Sequence, residues 1–128
     1  MRTLLDTHAL LWWWLDDAAL PERTRRVIED AGNEVFVSAA TGWEIAMKVR
    51  RGKLAAIEDR MPRFEQAIAD DGFRPLAVSM THGLRAGALP GIHSDPFDRI
   101  LAAQALVEGL VLVTRDRAIL DFGCETLW

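Results

Sequence analysis

The sequence predicts an α/β fold in which a mostly parallel β-sheet is flanked by helices. Short apolar segments with strand character alternate with helical segments along the chain, an order typical of β–α–β units. The 128 residues are 50% hydrophobic and 27% charged, as expected of one compact domain with one core. No repeat, low-complexity tract or linker interrupts the chain, so we expect residues 1–128 to form a single domain.

Five short segments are predicted to be strands because each is rich in apolar or β-branched residues and is bounded by polar or turn residues. The fourth is almost wholly apolar, as expected for a strand buried on both faces, and the last is expected at an edge of the sheet. The predicted strands are Thr3–Asp6, Glu34–Val37, Arg74–Val78, Leu110–Thr114 and Cys124–Leu127.

Helices are predicted between these strands, with recognisable start and stop residues. Thr7 is a candidate N-cap of the first helix, and Pro21 takes a predicted first helical position in the second. Asp95-Pro96 is a typical helix start, and Gly109 ends that helix. The predicted helices are Thr7–Leu15, Arg23–Asp30, Ser38 or Thr41 to near Gly52, Met61–Asp71, Ser79 to near Gly87, Asp95–Glu108 and Asp116–Leu120.

Three consecutive tryptophans, Trp12 to Trp14, lie on the first predicted helix. Successive helical residues are about 100° apart, so the three side chains cover more than one face. Two interpretations stay open. The helix is buried on both sides, or at least one tryptophan is left for a partner, since tryptophan is enriched in interface hot spots.

Charge and cysteine content narrow the class of protein. Nineteen acidic and fifteen basic residues give a net charge of -4, which argues against wrapping duplex DNA by bulk charge but leaves a nuclease open. Thirteen of the bases are Arg, which suits phosphate contacts or reflects a coding bias. Cys124 is the only cysteine, and no signal peptide or membrane span is recognisable, so we expect an unprocessed cytoplasmic protein.

Four acidic residues stand at related positions, at strand ends or in the first turns of helices: Asp6, Glu44, Asp98 and Asp116. In an open parallel sheet, ligands bind beyond the carboxyl ends of the strands, where the strand order reverses. If the first strand neighbours the fourth, these acids share one crevice. A hard divalent cation such as Mg²⁺ or Mn²⁺ would relieve their repulsion, because it prefers oxygen ligands.

Each acid also has a structural interpretation. Glu44 fits a capping box with Thr41, and Asp95 and Asp116 fit helix N-caps. Asp6 has no such explanation, because it ends an otherwise apolar strand. Taken together, the acids favour a metal site.

Other kinds of site have less support. The three histidines, His8, His82 and His93, have no metal-ligand partner at helical spacing, so surface or capping roles are expected. A zinc cluster, a nucleophile elbow and phosphate-binding glycine motifs are absent.

Four blocks of the chain, in family order, resemble VapC-type toxins of the PIN-domain family. The first and third hold Leu-Asp-Thr-His and His-Ser-Asp-Pro-Phe-Asp-Arg, and the second holds Trp43-Glu44 and Lys48. Position 8 is His, where other members carry Asn. The blocks are Leu4–Trp12, Ser38–Leu54, His93–Gln104 and Val113–Asp116.

The resemblance implies a PIN fold and a Mg²⁺- or Mn²⁺-dependent ribonuclease. It also implies the toxin half of a type II toxin–antitoxin pair, typically a homodimer that binds a small VapB-type antitoxin. The residues that match the family's metal-binding acids are Asp6, Glu44, Asp98 and Asp116.

Further residues are assigned supporting roles. Asp95 belongs to the third block and is a helix cap or lies behind the ligands, while Thr7 and Thr114 are candidates for orienting metal or water. Lys48 could contact RNA, or pair with Glu44 one helical turn away. The RNA-contact candidates are Lys48, Arg99 and Arg115.

Two other functions remain in competition. The same fold could bind RNA or protein without turnover, although acids at all four positions argue against this. A phosphoryl-transfer enzyme of the haloacid-dehalogenase type would need a second acid where His8 stands. A receiver domain would need two acids after the first strand and a Lys after a late strand.

Overall fold

The computed structural model describes residues 1–128 and contains a five-stranded sheet in which all four pairings are parallel. The spatial order is β3-β2-β1-β4-β5. This confirms the predicted α/β fold and the neighbouring positions of the first and fourth strands. The strands are β1 (Arg2–Leu5), β2 (Glu34–Ser38), β3 (Arg74–Leu76), β4 (Val111–Val113) and β5 (Thr126–Leu127).

Six α-helices and two 3₁₀ segments connect the strands. None of the helices combines the length and the apolar composition that crossing a membrane requires. The helices are α1 (Thr7–Trp14), α2 (Glu22–Glu29), α3 (Ala39–Arg50), α4 (Phe64–Asp70), α5 (Met80–Ala88) and α6 (Pro96–Glu108), and the 3₁₀ segments are Ala55–Arg63 and Arg117–Phe122.

The predicted helix from Met61 to Asp71 begins later than expected, at Phe64. Residues before it form the first 3₁₀ segment, which contains Pro62. Proline lacks an N–H group and disfavours the α conformation in the residue before it, so a regular α-helix cannot run through this position. β3 is also shorter than predicted and carries Pro75, which an edge strand tolerates.

The sheet separates two buried clusters, and alternation along the strands assigns side chains to them. On β1, Leu5 belongs to one cluster and Leu4 to the other, and on β4 Val113 and Leu112 divide in the same way. Successive side chains of a strand point to opposite faces, so a central strand needs apolar residues at every position. Burial on both faces thereby fixes the position of β1 and β4 and of their carboxyl ends.

The three tryptophans are all half-buried and each finds a partner within the chain. The indole nitrogens of Trp13 and Trp14 lie 3.2 Å and 2.9 Å from the same oxygen, Oδ2 of Asp71. Trp12 packs edge-on against Trp128 with 5.5 Å between ring centres. These contacts agree with a helix that is covered on more than one side.

Candidate functional site

The carboxyl ends of β1 and β4 lie side by side, with Leu5 paired to Val113. Asp6 follows β1 directly and its N–H donates a 3.0 Å hydrogen bond to the Val113 carbonyl. Asp116 follows β4 after two residues. The strands that follow β1 in the chain, β2 and β3, lie on one side of it, and β4 and β5 lie on the other. Both acids therefore stand where the strand order reverses, which is where open α/β sheets bind ligands.

Asp6 is only 6% exposed and caps α1. Its Oδ1 accepts a 2.7 Å hydrogen bond from the Ala9 N–H. The prediction that Thr7 caps this helix is therefore wrong, because the helix begins one residue earlier than that cap would allow. Asp6 is itself the N-cap of α1, a structural role that the sequence analysis did not predict for it. Burial raises the pKa of Asp6, while a hydrogen bond from Thr114 acts in the opposite sense.

Asp98 lies in the first turn of α6, behind the predicted cap. Oδ1 of Asp95 accepts hydrogen bonds from the N–H groups of Phe97 and Asp98, at 2.9 Å and 3.1 Å, which confirms Asp95 as the N-cap. Burial, and to a smaller extent the negative charges of Asp95 and Asp116, raise the pKa of Asp98 to about 6. A hydrogen bond from His93 opposes these effects.

Asp116 caps the last 3₁₀ segment through Oδ1, which accepts a 3.0 Å hydrogen bond from the Ala118 N–H. Thr114 is buried, and its Oγ1 accepts a 3.0 Å hydrogen bond from the Asp116 N–H. Since Thr114 also acts on Asp6, one hydroxyl group links the two acids. The second carboxylate oxygen of Asp116 makes no capping contact and faces His93.

His93 occupies a place that the sequence did not predict. Its Nε2 lies 2.9 Å from Oδ2 of Asp98 and 3.9 Å from Oδ2 of Asp116. The ligand atoms of these three residues are all within 4.8 Å of one another. The expected surface or capping role is therefore wrong for His93. Its position two residues before the cap Asp95 was the available signal, since that spacing places it at the mouth of α6.

The other two histidines follow the expectation more closely. His82 forms a capping box with Ser79, whose Oγ accepts from the His82 N–H while His82 Nδ1 accepts from the Ser79 N–H. His82 is nevertheless buried, with Nε2 2.8 Å from Glu108. His8 is exposed and packs against the Trp12 ring.

Glu44 lies on α3 with both carboxylate oxygens engaged. Oε1 accepts a 2.6 Å hydrogen bond from Thr7 Oγ1, and Oε2 pairs with Lys48 Nζ at 3.0 Å. The predicted capping box with Thr41 is wrong, because Ser38 caps the helix one turn earlier. The predicted pairing with Lys48 is confirmed. Glu44 reaches the strand end through Thr7 and lies outside the group formed by His93, Asp98 and Asp116.

Arg99, one of the predicted RNA contacts, holds the backbone of a loop in this structure. Its Nε and Nη1 donate 3.0 Å hydrogen bonds to the carbonyl groups of Ala86 and His93, and its Nη2 donates to that of Leu89. The guanidinium group thus ties the loop between α5 and α6 to the start of α6. Three of its N–H groups are thus bonded to the backbone, and its contact with RNA stays a prediction.

Arg115 is exposed beside the acids and is the better candidate for contact with an anion. Its guanidinium carbon lies 4.6 Å from the centre of the Trp12 ring, an arrangement that holds the charge by a cation–π contact. Asp6, His8 and Asp116 line the same cavity, whose volume is about 310 Å³. A positive charge and two acids therefore face one space.

Trp43, which belongs to the second block, is another residue whose exposure beside the acids the sequence analysis did not predict. It is 62% exposed although it is a large aromatic residue. Its ring packs edge-on against Phe97, with 4.9 Å between centres and 68° between planes. Trp43 precedes Glu44 and Phe97 precedes Asp98, so this aromatic pair joins the two acid-bearing helices and leaves an indole surface open beside them.

The residues present fit a divalent cation. Asp116 lies beside Asp98 and His93 and shares a cavity with Asp6, which itself lies outside the group of His93, Asp98 and Asp116. Burial raises the pKa of both Asp6 and Asp98. Removal from water therefore disfavours the charged form of both acids more than their hydrogen bonds favour it. Oxygen-rich sets of this kind suit Mg²⁺ and Mn²⁺, and a cation would favour the charged form.

The chain matches known proteins along nearly its whole length. Residues 3–123 match the family model of the PIN domain. The chain is 28% identical over 117 residues to ribonuclease VapC22 of Mycobacterium tuberculosis, a region covering 91% of this chain and 88% of VapC22. A shorter region of 59 residues is 36% identical to ribonuclease VapC16 of the same organism, covering 46% of this chain and 42% of VapC16.

Solved structures share the fold at low sequence identity. A chain in the crystal structure of VapBC2 from Rickettsia felis, bound to a promoter DNA fragment, is similar with a TM-score of 0.75 and 15% identity over 99% of this chain and 98% of that one. A chain of FitAB bound to the IR36 DNA fragment has a TM-score of 0.68 and 22% identity, covering 99% and 94%. The match over residues 3–123, together with this likeness in fold, shows that the chain belongs to the PIN domain family.

Proposed function

We propose that this protein is a metal-dependent endoribonuclease and the toxin of a type II toxin–antitoxin pair. The observation that carries the proposal is the position of Asp116, which lines one cavity with Asp6 and has its carboxylate within 4.8 Å of the ligand atoms of Asp98 and His93, where β1 and β4 end. Membership of the PIN domain family supports it, as do the ribonuclease names of the relatives.

The cation is Mg²⁺ or Mn²⁺ and its ligands are Asp6, Asp98 and Asp116, with Glu44 as a fourth acid at the margin. Bound there, the cation would lower the pKa of water and stabilise negative charge on the attacked phosphate group. The remaining contributions come from side chains that the fold holds in place before substrate arrives.

Hydrogen bonds fix the orientation of these acids. The Ala9 N–H group holds Oδ1 of Asp6, and the Ala118 N–H group holds Oδ1 of Asp116, so each acid keeps one oxygen for the site. Thr114 supports both. Lys48 neutralises Glu44, which limits the repulsion that a fourth carboxylate adds.

RNA contacts are assigned to the exposed groups around the acids. The exposed guanidinium group of Arg115 can bind a phosphate group. Lys48 can leave its ion pair with Glu44 and bind a phosphate group instead. The open indole surface of Trp43 suits stacking with an unpaired base, which is how many proteins hold single-stranded RNA. The proposed substrate is therefore RNA with unpaired bases at the cleaved bond.

Partners and location follow from the relatives. The similar solved chains come from complexes named VapBC2 and FitAB, which supports a small VapB-type antitoxin as partner. We also propose that the protein is a homodimer and acts in the cytoplasm, as the family resemblance implies.

The test is cleavage of total RNA by the purified full chain, first stripped of metal with EDTA and then supplied with Mg²⁺ or Mn²⁺. We expect cleavage only with metal, and none from Asp98→Asn. Mapping of the cut ends would identify the target. RNA binding without cleavage under all conditions would contradict the proposal and favour a binding module.

A further inference from the structure

We propose that His93 is a nitrogen ligand of the metal site, so that the site prefers ions that accept imidazole over Mg²⁺. This inference rests on the metal site of the proposed function and adds to its set of oxygen ligands. It also predicts a metal preference that carboxylates alone would not give.

The separation of the ligand atoms supports a shared ion. Two atoms that each lie about 2.1 Å from one ion stand about 3 to 4 Å apart. Nε2 of His93 is 2.9 Å from Oδ2 of Asp98 and 3.9 Å from Oδ2 of Asp116. The imidazole nitrogen therefore lies where an ion between these carboxylates would be within its reach.

The fold holds the imidazole at this place. Nη1 of Arg99 donates a 3.0 Å hydrogen bond to the His93 carbonyl, which anchors the backbone of the residue. The Phe122 ring lies beside the imidazole, with 5.8 Å between ring centres. The guanidinium carbon of Arg99 lies over the Phe122 ring, 5.3 Å from its centre. Because Arg99 and Phe122 position each other, the direction of the His93 side chain is set before a cation binds.

A nitrogen donor changes the chemistry of the site. Carboxylate oxygens suit Mg²⁺ and Mn²⁺, whereas imidazole suits transition-metal ions and is a poor ligand for Mg²⁺. An imidazole added to the carboxylates therefore favours Mn²⁺ over Mg²⁺. The competing role for His93 is hydrogen bonding to Asp98 alone, which would leave the metal with oxygen ligands only.

Pulsed electron paramagnetic resonance of bound Mn²⁺ distinguishes these roles, because it detects a directly coordinated ¹⁴N nucleus. The full chain, stripped of metal and loaded with Mn²⁺, should show the ¹⁴N coupling, and His93→Gln should lose it. His8→Gln is the matched control, since His8 is a second histidine near Asp116 and lines the cavity that Asp116 shares with Asp6. It should keep the coupling. Circular dichroism should show the same fold in all three proteins.

Calorimetric titration of the same proteins provides a second measurement. His93→Gln should weaken Mn²⁺ binding by about tenfold or more while changing Mg²⁺ binding much less. Mn²⁺ bound without ¹⁴N coupling, or coupling lost in His8→Gln but kept in His93→Gln, would overturn the inference. The proposed function would survive that result, provided that metal-dependent cleavage of RNA persists. Absence of Mn²⁺ binding would overturn both.

Discussion

Thr7 Oγ1 donates a 2.6 Å hydrogen bond to Oε1 of Glu44, and this bond joins the end of the central strand to α3. Thr7 is buried and Glu44 nearly so, which makes the loss of either partner costly. We expect Thr7→Val to lower the free energy of unfolding by about 2 kcal/mol, since the bond involves a charged acceptor. Urea denaturation measures this. Thr7→Ser keeps the hydroxyl group and should stay close to wild type; equal losses in both variants would contradict the assignment.

Asp6 combines a helix cap with a buried charge, and two substitutions separate these roles. Asn also caps helices well, so we expect Asp6→Asn to be at least as stable as the wild type without metal. Asp6→Ala loses the cap and should be less stable than Asp6→Asn by about 1 kcal/mol. Thermal unfolding in EDTA measures both, and both variants should lose cleavage. Full metal-dependent cleavage by Asp6→Asn would remove Asp6 from the site.

The raised pKa of Asp98 predicts how stability depends on pH. The folded protein holds this proton up to a pH of about 6, whereas the unfolded chain releases it near the ordinary value of 3.8. The contribution of Asp98 to stability is therefore full below 3.8 and is lost as the pH rises through about 6. Melting temperatures in EDTA should show a decline over this range that is smaller in Asp98→Asn. An equal decline in both proteins would exclude Asp98 as its source.

Substitution of Arg99 should mainly affect stability, whereas substitution of Arg115 should mainly affect RNA binding. Arg99→Ala removes three hydrogen bonds to carbonyl groups and should cost about 2 kcal/mol in urea denaturation, with Arg99→Lys a poor substitute. Arg115→Ala should leave stability nearly unchanged but reduce the salt dependence of RNA binding by about one phosphate contact. RNA binding measured at several salt concentrations, without metal, tests this. The reverse pattern would return the RNA contact to Arg99.

Trp43 should act on binding of substrate more than on the chemical step. Trp43→Ala should raise KM for a short single-stranded RNA by about tenfold, because stacking on one base contributes about 1 to 3 kcal/mol. The KM of Trp43→Phe should lie between those of the wild type and Trp43→Ala, and kcat should change little in both variants. Leu84→Ala is the control, since Leu84 is 69% exposed on α5. An unchanged KM in Trp43→Ala would exclude stacking at this position.

The order of elements and the place of the acids could be predicted because both depend on local pattern. Apolar runs separated by helix starts define the strands, and Asp95-Pro96 marks the start of α6 correctly. The helix cap at Asp6 was missed, and Ser38 was left as an alternative to Thr41, because the sequence offers several capping residues close together and only tertiary contacts choose among them.

The roles of His93 and Arg99 depend on a loop whose path no local pattern defines. The loop between α5 and α6 folds back over the start of α6, and Arg99 holds it there through backbone carbonyls. Such contacts leave no periodic signal in the sequence. For that reason the same block of residues indicated the acid at Asp98 but not the contact of His93 with it or the backbone hydrogen bonds of Arg99.

Pro75 in β3 affects how copies of this protein meet one another. β3 forms one border of the sheet, and proline has no N–H group to offer to an added strand. A strand from another molecule that aligned there would lack one of its backbone hydrogen bonds. This border is therefore a poorer template for an added strand than an edge with an N–H group at every residue.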